Sequence, residues 1–104
     1  MPTTLRDLVE RASEISGESV ASILGHSRYR GVVRVRWSVM YAAYYELGMT
    51  SVMIGRGLGG RDHSTVLHGL TNAKRLLMQQ EHGFTMMTDM LVAMVRAGRQ
   101  DEAA

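Results

Sequence analysis

The single proline of this chain stands at position 2, so the breaking of helices falls to its 11 glycines. Between the glycines, apolar residues recur at intervals of three and four. Leu5, Leu8, Val9, Ala12 and Ile15 form such a stripe and predict an amphipathic helix ending near Ser16-Gly17. Thr4 followed by Asp7 predicts a capping box, with Asp in the place of the usual Glu. Glu18 to Leu24 has the length of a short helix closed by Gly25. The stretch His26 to Gly31 reads as a basic loop.

Val32 to Leu47 pulls in two directions. Its first half alternates apolar and basic residues, the pattern of a strand. Its second half holds two alanines, and the whole run is long for a strand, so a helix is predicted, ended by Gly48. Thr50 or Ser51 is placed to cap a short helix through Leu58. Gly59-Gly60 predicts a tight turn and Asp62 the N-cap of a helix carrying Val66, Leu67, Leu70, Ala73, Leu76 and Leu77. After His82-Gly83 a last helix is predicted from about Phe84 to Ala97. No strand, repeat or linker emerges. The expectation is one all-α domain over residues 1–104: a small helical domain with a helix-turn-helix and an extra C-terminal helix.

Composition narrows the function classes. The absence of cysteine excludes disulfide scaffolds and thiolate metal sites. No run approaches the roughly 18 uninterrupted apolar residues of a transmembrane helix. The N-terminus has no apolar h-region of a signal peptide. A cytoplasmic protein with no membrane partner is therefore expected. The formal charge is +2, but it is unevenly spread. Residues 24–75 hold eight basic and two acidic side chains, and the segments on either side are each net negative. A positive middle of this kind suits a polyanion such as nucleic acid.

The densest polar cluster, Arg61-Asp62-His63-Ser64-Thr65, falls where a short helix, a glycine turn and a longer helix meet. In a helix-turn-helix the first turn of the second helix reaches base edges in the major groove. A helix cap alone accounts for Asp62 but not for its neighbours. Catalysis fits these residues poorly. Asp62, His63 and Ser64 are triad residue types, but adjacent helical residues point about 100° apart and cannot line up in series. His63 and His68 are five apart, not the spacing of a helical zinc pair. Gly55 to Gly60 is followed by Arg61-Asp62 and lacks the lysine of an ATP-binding loop. Gly55-Arg56-Gly57 has no strand before it and is no dinucleotide fingerprint. No enzymatic activity, cofactor or metal is expected.

The stretch Gly59-Gly60-Arg61-Asp62-His63-Ser64-Thr65-Val66-Leu67-His68 resembles the signature of the C-terminal DNA-binding domain, domain IV, of the bacterial replication initiator DnaA. The resemblance extends over nearly the whole chain. Val20, Ile23-Leu24-Gly25 and Ser27-Arg28-x-Arg30 are similar to the entry into that domain's basic loop. Val33, Arg36 and Met40-Tyr41 are similar to its long helix, and Ile54-Gly55 to the end of its first motif helix. The resemblance implies an all-helical domain that binds double-stranded DNA at a short A·T-rich box. It implies that Asp62, His63 and Ser64 read base edges, that Arg61 and Thr65 hold phosphates, and that Arg28 enters the adjacent minor groove. Arg30, Arg34, Thr50 and Ser51 complete the expected DNA-binding set. Gly59 and Gly60 are expected to let the second helix come close to DNA.

Departures from the family pattern put the target sequence in question. Val52 lies where many members have proline, Trp37 where glutamine is common, and Ser64 where threonine is frequent. Tyr44 and Tyr45 lie where a phosphate-binding Lys or Arg is usual. The family's AAA+ ATPase is not in this sequence, which implies a standalone DnaA-like protein of the bacterial nucleoid. A transcriptional regulator is then expected, an activator working with a partner such as a sigma-like factor or RNA polymerase. The resemblance makes a phage-like or gene-transfer-agent setting plausible. The alternative is a replication-linked protein that binds or competes for DnaA boxes. A third reading takes the Met-rich last helix as the main surface of an interaction module. That helix carries Phe84, Met86, Met87, Met90, Leu91, Met94 and Val95.

Overall fold

The computed structural model describes residues 2–103, with side-chain surroundings for residues 2–100. Six helices follow one another: α1 Leu5–Ser16, α2 Val20–Leu24, α3 Arg30–Tyr45, α4 Ser51–Gly57, α5 His63–Met78 and α6 His82–Ala103. Among the described residues there is no strand. None of the helices is long and apolar enough to cross a membrane.

Helix α3 is the axis of the fold and touches each of the other five. Val32, Val35, Val39, Ala42 and Ala43 are all buried along it, a three-and-four spacing that only a helix can present to one core. The alternating pattern of its first half has a different cause from sheet formation. Arg34 is half-buried and Arg36 is buried, so the two arginines do not share a solvent face. The helix starts two residues before the predicted boundary and takes Arg30 and Gly31 out of the basic loop. Leu8, Val9 and Ala12 of α1, Ile54 of α4, Val66 and Leu70 of α5 and Leu91 and Val95 of α6 close the core around it. Ala73, Leu76 and Phe84 form a smaller cluster against Trp37 and Tyr41.

Caps set several helix ends. Thr4 and Asp7 make the reciprocal capping box at α1, with Thr4 Oγ1 accepting from the Asp7 N–H at 3.1 Å and Asp7 Oδ2 from the Thr4 N–H at 2.9 Å. Ser19 caps α2 and Thr50 caps α4. Gly25 closes α2 in an extended conformation, not the left-handed one expected of a glycine cap. The turn into α6 differs more. His82 and Gly83 lie inside the helix, and the chain reverses at Gln80, which takes the positive φ of 55°. Glu81 Oε2 then accepts from the Phe84 N–H at 2.9 Å and caps the new helix.

Helix α6 buries Phe84, Met87, Leu91 and Val95 and leaves Met86 and Met90 exposed. Its packing face is thus one stripe of the wider apolar set. Its far end is held to α3: Arg96 Nε donates to Glu46 Oε1 at 3.0 Å, and Arg99 donates to the Glu46 carbonyl. Leu67, expected on the core stripe of α5, is instead 45% exposed.

Both turn glycines have positive φ, 76° at Gly59 and 75° at Gly60, but only Gly59 is also crowded. A Cβ on Gly59 would collide with the Leu24 carbonyl oxygen, whereas one on Gly60 meets nothing. Gly60→Ala should therefore cost only the left-handed backbone, roughly 1–2 kcal/mol. Gly59→Ala should cost about 3 kcal/mol or more, because the turn must also leave the Leu24 backbone. Urea denaturation of the two variants, each against wild type, checks the order.

Candidate nucleic-acid interface

Helices α4 and α5 are held at a fixed angle by close backbone contact. The Arg61 N–H donates to the Gly55 carbonyl at 2.7 Å. Gly55 has no room for a side chain, because a Cβ there would meet the Arg61 carbonyl. Ile54, Leu58 and Val66 are fully buried beneath this junction. The geometry is that of a helix-turn-helix, with Gly59-Gly60 making the turn and α5 as the second helix. Gly59 and Gly55 are thus required by contacts within the protein, at Leu24 and Arg61, whereas Gly60 has only its positive φ.

Asp62 opens α5. Its Oδ1 accepts from the Ser64 N–H at 2.9 Å and from the Ser64 hydroxyl at 3.2 Å, and lies 3.0 Å from His63 Nδ1. The backbone bond from Ser64, then the hydroxyl bond and nearby His63, hold the Asp62 carboxyl below the usual carboxylate range. Asp62, His63, Ser64 and Thr65 are all exposed around the first turn. The cap leaves Asp62 Oδ2 unengaged among the described residues, since one carboxylate oxygen carries both Ser64 bonds and the His63 contact.

A cleft of about 450 Å³ lies beside this turn, between the basic loop, α3 and α5. His26, Ser27 and Arg28 line one side, Thr65 and His68 another, and Trp37, Arg36 and Arg61 are also in its wall. A second cleft of about 300 Å³ shares Arg28 and Trp37 and adds Arg30, Arg34 and Arg75. Arg28 and Arg30 are exposed, and neither has an acidic partner among the described residues. Arg34 lies 3.6 Å from Glu81, so its charge is partly offset. Thr50 and Ser51 lie outside the lining of both clefts, at the start of α4, where Thr50 Oγ1 accepts from the Met53 N–H at 3.1 Å.

Arg61 departs from the phosphate-facing placement the sequence implies. Its guanidinium turns inward and donates to the carbonyls of Leu24, Gly25 and Leu58. Arg36, not among the expected site residues, is 5% exposed and donates to the carbonyls of Ile23, Ser27, Ser22 and Gly25 at 2.6–2.9 Å. Burial lowers the pKa of both arginines, and for Arg36 the neighbouring Arg61 charge adds to the effect.

His68 and Arg75 also line the clefts and were missed in the sequence. With Thr65 and Asn72 they recur at three and four along α5, a polar stripe readable by the same rule that finds apolar ones. Arg75 is steadied by Asn72 Oδ1 at 3.2 Å. Trp37 fits its position because of Gly69: a Cβ at 69 would lie 2.9 Å from the indole Cδ1 and 2.5 Å from Met40 Sδ. At Tyr45 a cation arrives from another helix. Lys74 Nζ lies 5.1 Å from the ring centroid, and the neighbouring Tyr45 phenol raises its pKa.

Residues 5–72 match the family described as the bacterial dnaA protein helix-turn-helix. The chain belongs to that family. It is 44% identical over 63 residues to the chromosomal replication initiator protein DnaA of Thermomicrobium roseum, covering 61% of this chain and 14% of that protein. The Herpetosiphon aurantiacus protein of the same name is 42% identical over 66 residues, covering 64% of this chain and 14% of its own length. The one from a Ruegeria species is 33% identical over 73 residues, covering 70% and 16%. The chain thus spans well under a fifth of each of these curated relatives. The matched segment of the DnaA-type domain contains α4, the glycine turn, the first ten residues of α5 and the first cleft, and ends before Arg75 and α6.

The Asp62 cap generates a pH prediction. Its carboxyl is depressed in the folded state, so the stability it contributes is present above the unfolded pKa and is lost as pH falls through the folded value. Ser64→Ala removes the hydroxyl bond and keeps the backbone bond. The Asp62 carboxyl should then titrate at higher pH than in wild type, though still below the usual range. Carbon-detected NMR titration of the carboxyl reads the shift directly.

Proposed function

We propose that this DnaA-type domain is a sequence-specific binder of duplex DNA with no enzymatic activity, cofactor or metal. The observation that carries this reading is the exposed polar first turn of α5 beside an arginine-lined cleft. In the proposed arrangement that turn enters the major groove, with Asp62, His63 and Ser64 at base edges and Thr65 at a flanking phosphate. Arg28 enters the neighbouring minor groove, where narrow A·T stretches attract arginine. Arg30, Arg34, Thr50 and Ser51 contact the backbone on either side. The absence of an ATP-loop lysine after Gly60 supports the non-enzymatic part of the reading.

The finer role we propose is transcriptional regulation, by an activator acting at the nucleoid of a bacterial cytoplasm, in a phage-like or gene-transfer-agent setting. Support for a protein partner, such as a sigma-like factor or RNA polymerase, comes from Met86 and Met90, which stay exposed on the side of α6 that does not pack. The likeness to replication initiators favours a second role, in which the domain occupies or competes for replication-origin boxes. Genome-wide occupancy separates the two. Peaks at promoters support regulation, and peaks confined to an origin overturn it.

Two predictions test the DNA face. If roughly five phosphates are contacted, log K against log[salt] should slope near −4 to −5. His63→Ala should bring cognate affinity down to the level of random duplex, leaving random-duplex affinity and the salt slope as in wild type. Titration of both duplexes at several salt concentrations checks each.

Arg28 should behave differently. Arg28→Ala should cost roughly 1–3 kcal/mol on a site with an A·T flank and much less where the flank is G·C. Equal losses on the two duplexes would make Arg28 a plain phosphate contact. Calorimetry with paired duplexes that differ only in the flank decides the point.

A further inference from the structure

Seven hydrogen bonds from two arginines converge on the short backbone segment around the exit of α2 and on the end of α4. Arg36 reaches the carbonyls of Ser22, Ile23, Gly25 and Ser27, and Arg61 those of Leu24, Gly25 and Leu58. Every carbonyl from residue 22 to 25 is engaged, and Gly25 accepts from both guanidiniums. No carboxylate joins either arginine among the described residues. The acceptors include the last carbonyls of α2 and the carbonyl of Leu58 just past α4, helix ends whose partial negative charge favours a cation.

The placement of Arg61 links three parts of the molecule. It follows the Gly59-Gly60 turn and precedes Asp62, the N-cap of α5. Its side chain bonds the end of α4 through Leu58 and the start of the basic loop through Leu24 and Gly25. Gly59 presses on the same Leu24 carbonyl. Arg28 follows Gly25 by three residues and is exposed beyond this anchor. Arg36 holds the near side of the same loop, at Ser27, from the rigid axis α3.

Resting on the DNA-binding reading above, we propose that Arg36 and Arg61 are positioning residues for sequence selection: they clamp the basic loop to the helix-turn-helix and so fix Arg28 relative to the first turn of α5. A plain phosphate contact at Arg61 would turn its terminal nitrogens outward, whereas both of them are bonded inward. A lysine cannot substitute. Its ammonium is a single point, while the planar fork of arginine spans several acceptors at once. Freed from the clamp, the loop must be ordered again on each binding event, so the gain from inserting Arg28 falls.

The test is a double-mutant cycle on the full chain between Arg28→Ala and Arg61→Lys. The probes are a duplex selected from a random pool by the wild-type chain and a twin whose A·T flank is changed to G·C. Arg28→Ala alone should lose roughly tenfold on the A·T duplex. In the Arg61→Lys background it should lose less than about twofold, because coupled residues are non-additive. Random-duplex affinity and salt slope should match wild type, since lysine keeps the charge. Without DNA, backbone order parameters of residues 25–29 should be about 0.85 in wild type and fall below about 0.6 in Arg61→Lys. Those of α6 should not change.

Additive losses, or a loop that is as ordered in Arg61→Lys as in wild type, would overturn the proposal. Equal weakening of cognate and random duplex by Arg61→Ala, with the salt slope reduced by about one, would make Arg61 a phosphate contact. Should Arg61→Lys lose its helical circular dichroism, Arg36→Lys takes its place in the cycle. The wild-type order parameters need no variant, and a mobile loop there refutes the clamp outright. A wild-type chain that selects no duplex sinks the reading of function instead, and the order parameters still report whether the clamp exists.

Discussion

A charged guanidinium buried without a carboxylate is the constraint around which this domain is arranged. Arg36 is 5% exposed, and burial of an unpaired charge is costly unless its donors are bonded. The acceptors here are peptide carbonyls, which are fixed dipoles that need α2 to end where it does and the following loop to fold back over α3. Removal of the Arg36 side chain would take the arginine donor from the Ile23 and Ser27 carbonyls, each a penalty of about 1–3 kcal/mol where no water replaces it. The position of α2, a helix of only five residues, is explained by this contact as much as by its one buried side chain, Ile23.

Patterns that depend on neighbours in sequence could be read directly. The capping box at Thr4, the stripe of α1 and the cap at Asp62 need only residues a few positions apart, and the structure has all three. The features that escaped depend on distant partners. Arg61 lies beside a polar cluster and looks like part of it, but its acceptors at Leu24 and Gly25 are more than thirty positions away. The turn before α6 was hidden because Glu81 is an uncommon cap and Gln80 an uncommon residue at positive φ, whereas Gly83 offered a familiar breaker. Arg75 was passed over because a polar stripe on a helix carries no sign of what it faces. The exposed cluster from Asp62 to Thr65 was legible because residue type and position coincide there.

Two of the departures from the family pattern have a partner on the facing helix. Trp37 is bulky where glutamine is common, and Gly69 on the facing helix gives it room. Tyr45 lacks the charge usual in that region, and Lys74 from α5 brings one to its ring. Contacts of this kind keep the outline of a surface while changing its chemistry. They support a DNA face that retains the family's architecture and has its own preference in detail. Both pairs join α3 to α5.

Trp37 is also the only tryptophan in the chain and lines both clefts. The protein therefore carries its own optical probe at the point where the basic loop, α3 and α5 meet. An indole edge that exchanges water for a bound group shifts its emission without any label. Tyr41, Tyr44 and Tyr45 lie together further along α3 and can pass excitation to it. Whatever occupies these clefts announces itself in the intrinsic fluorescence of the unmodified chain.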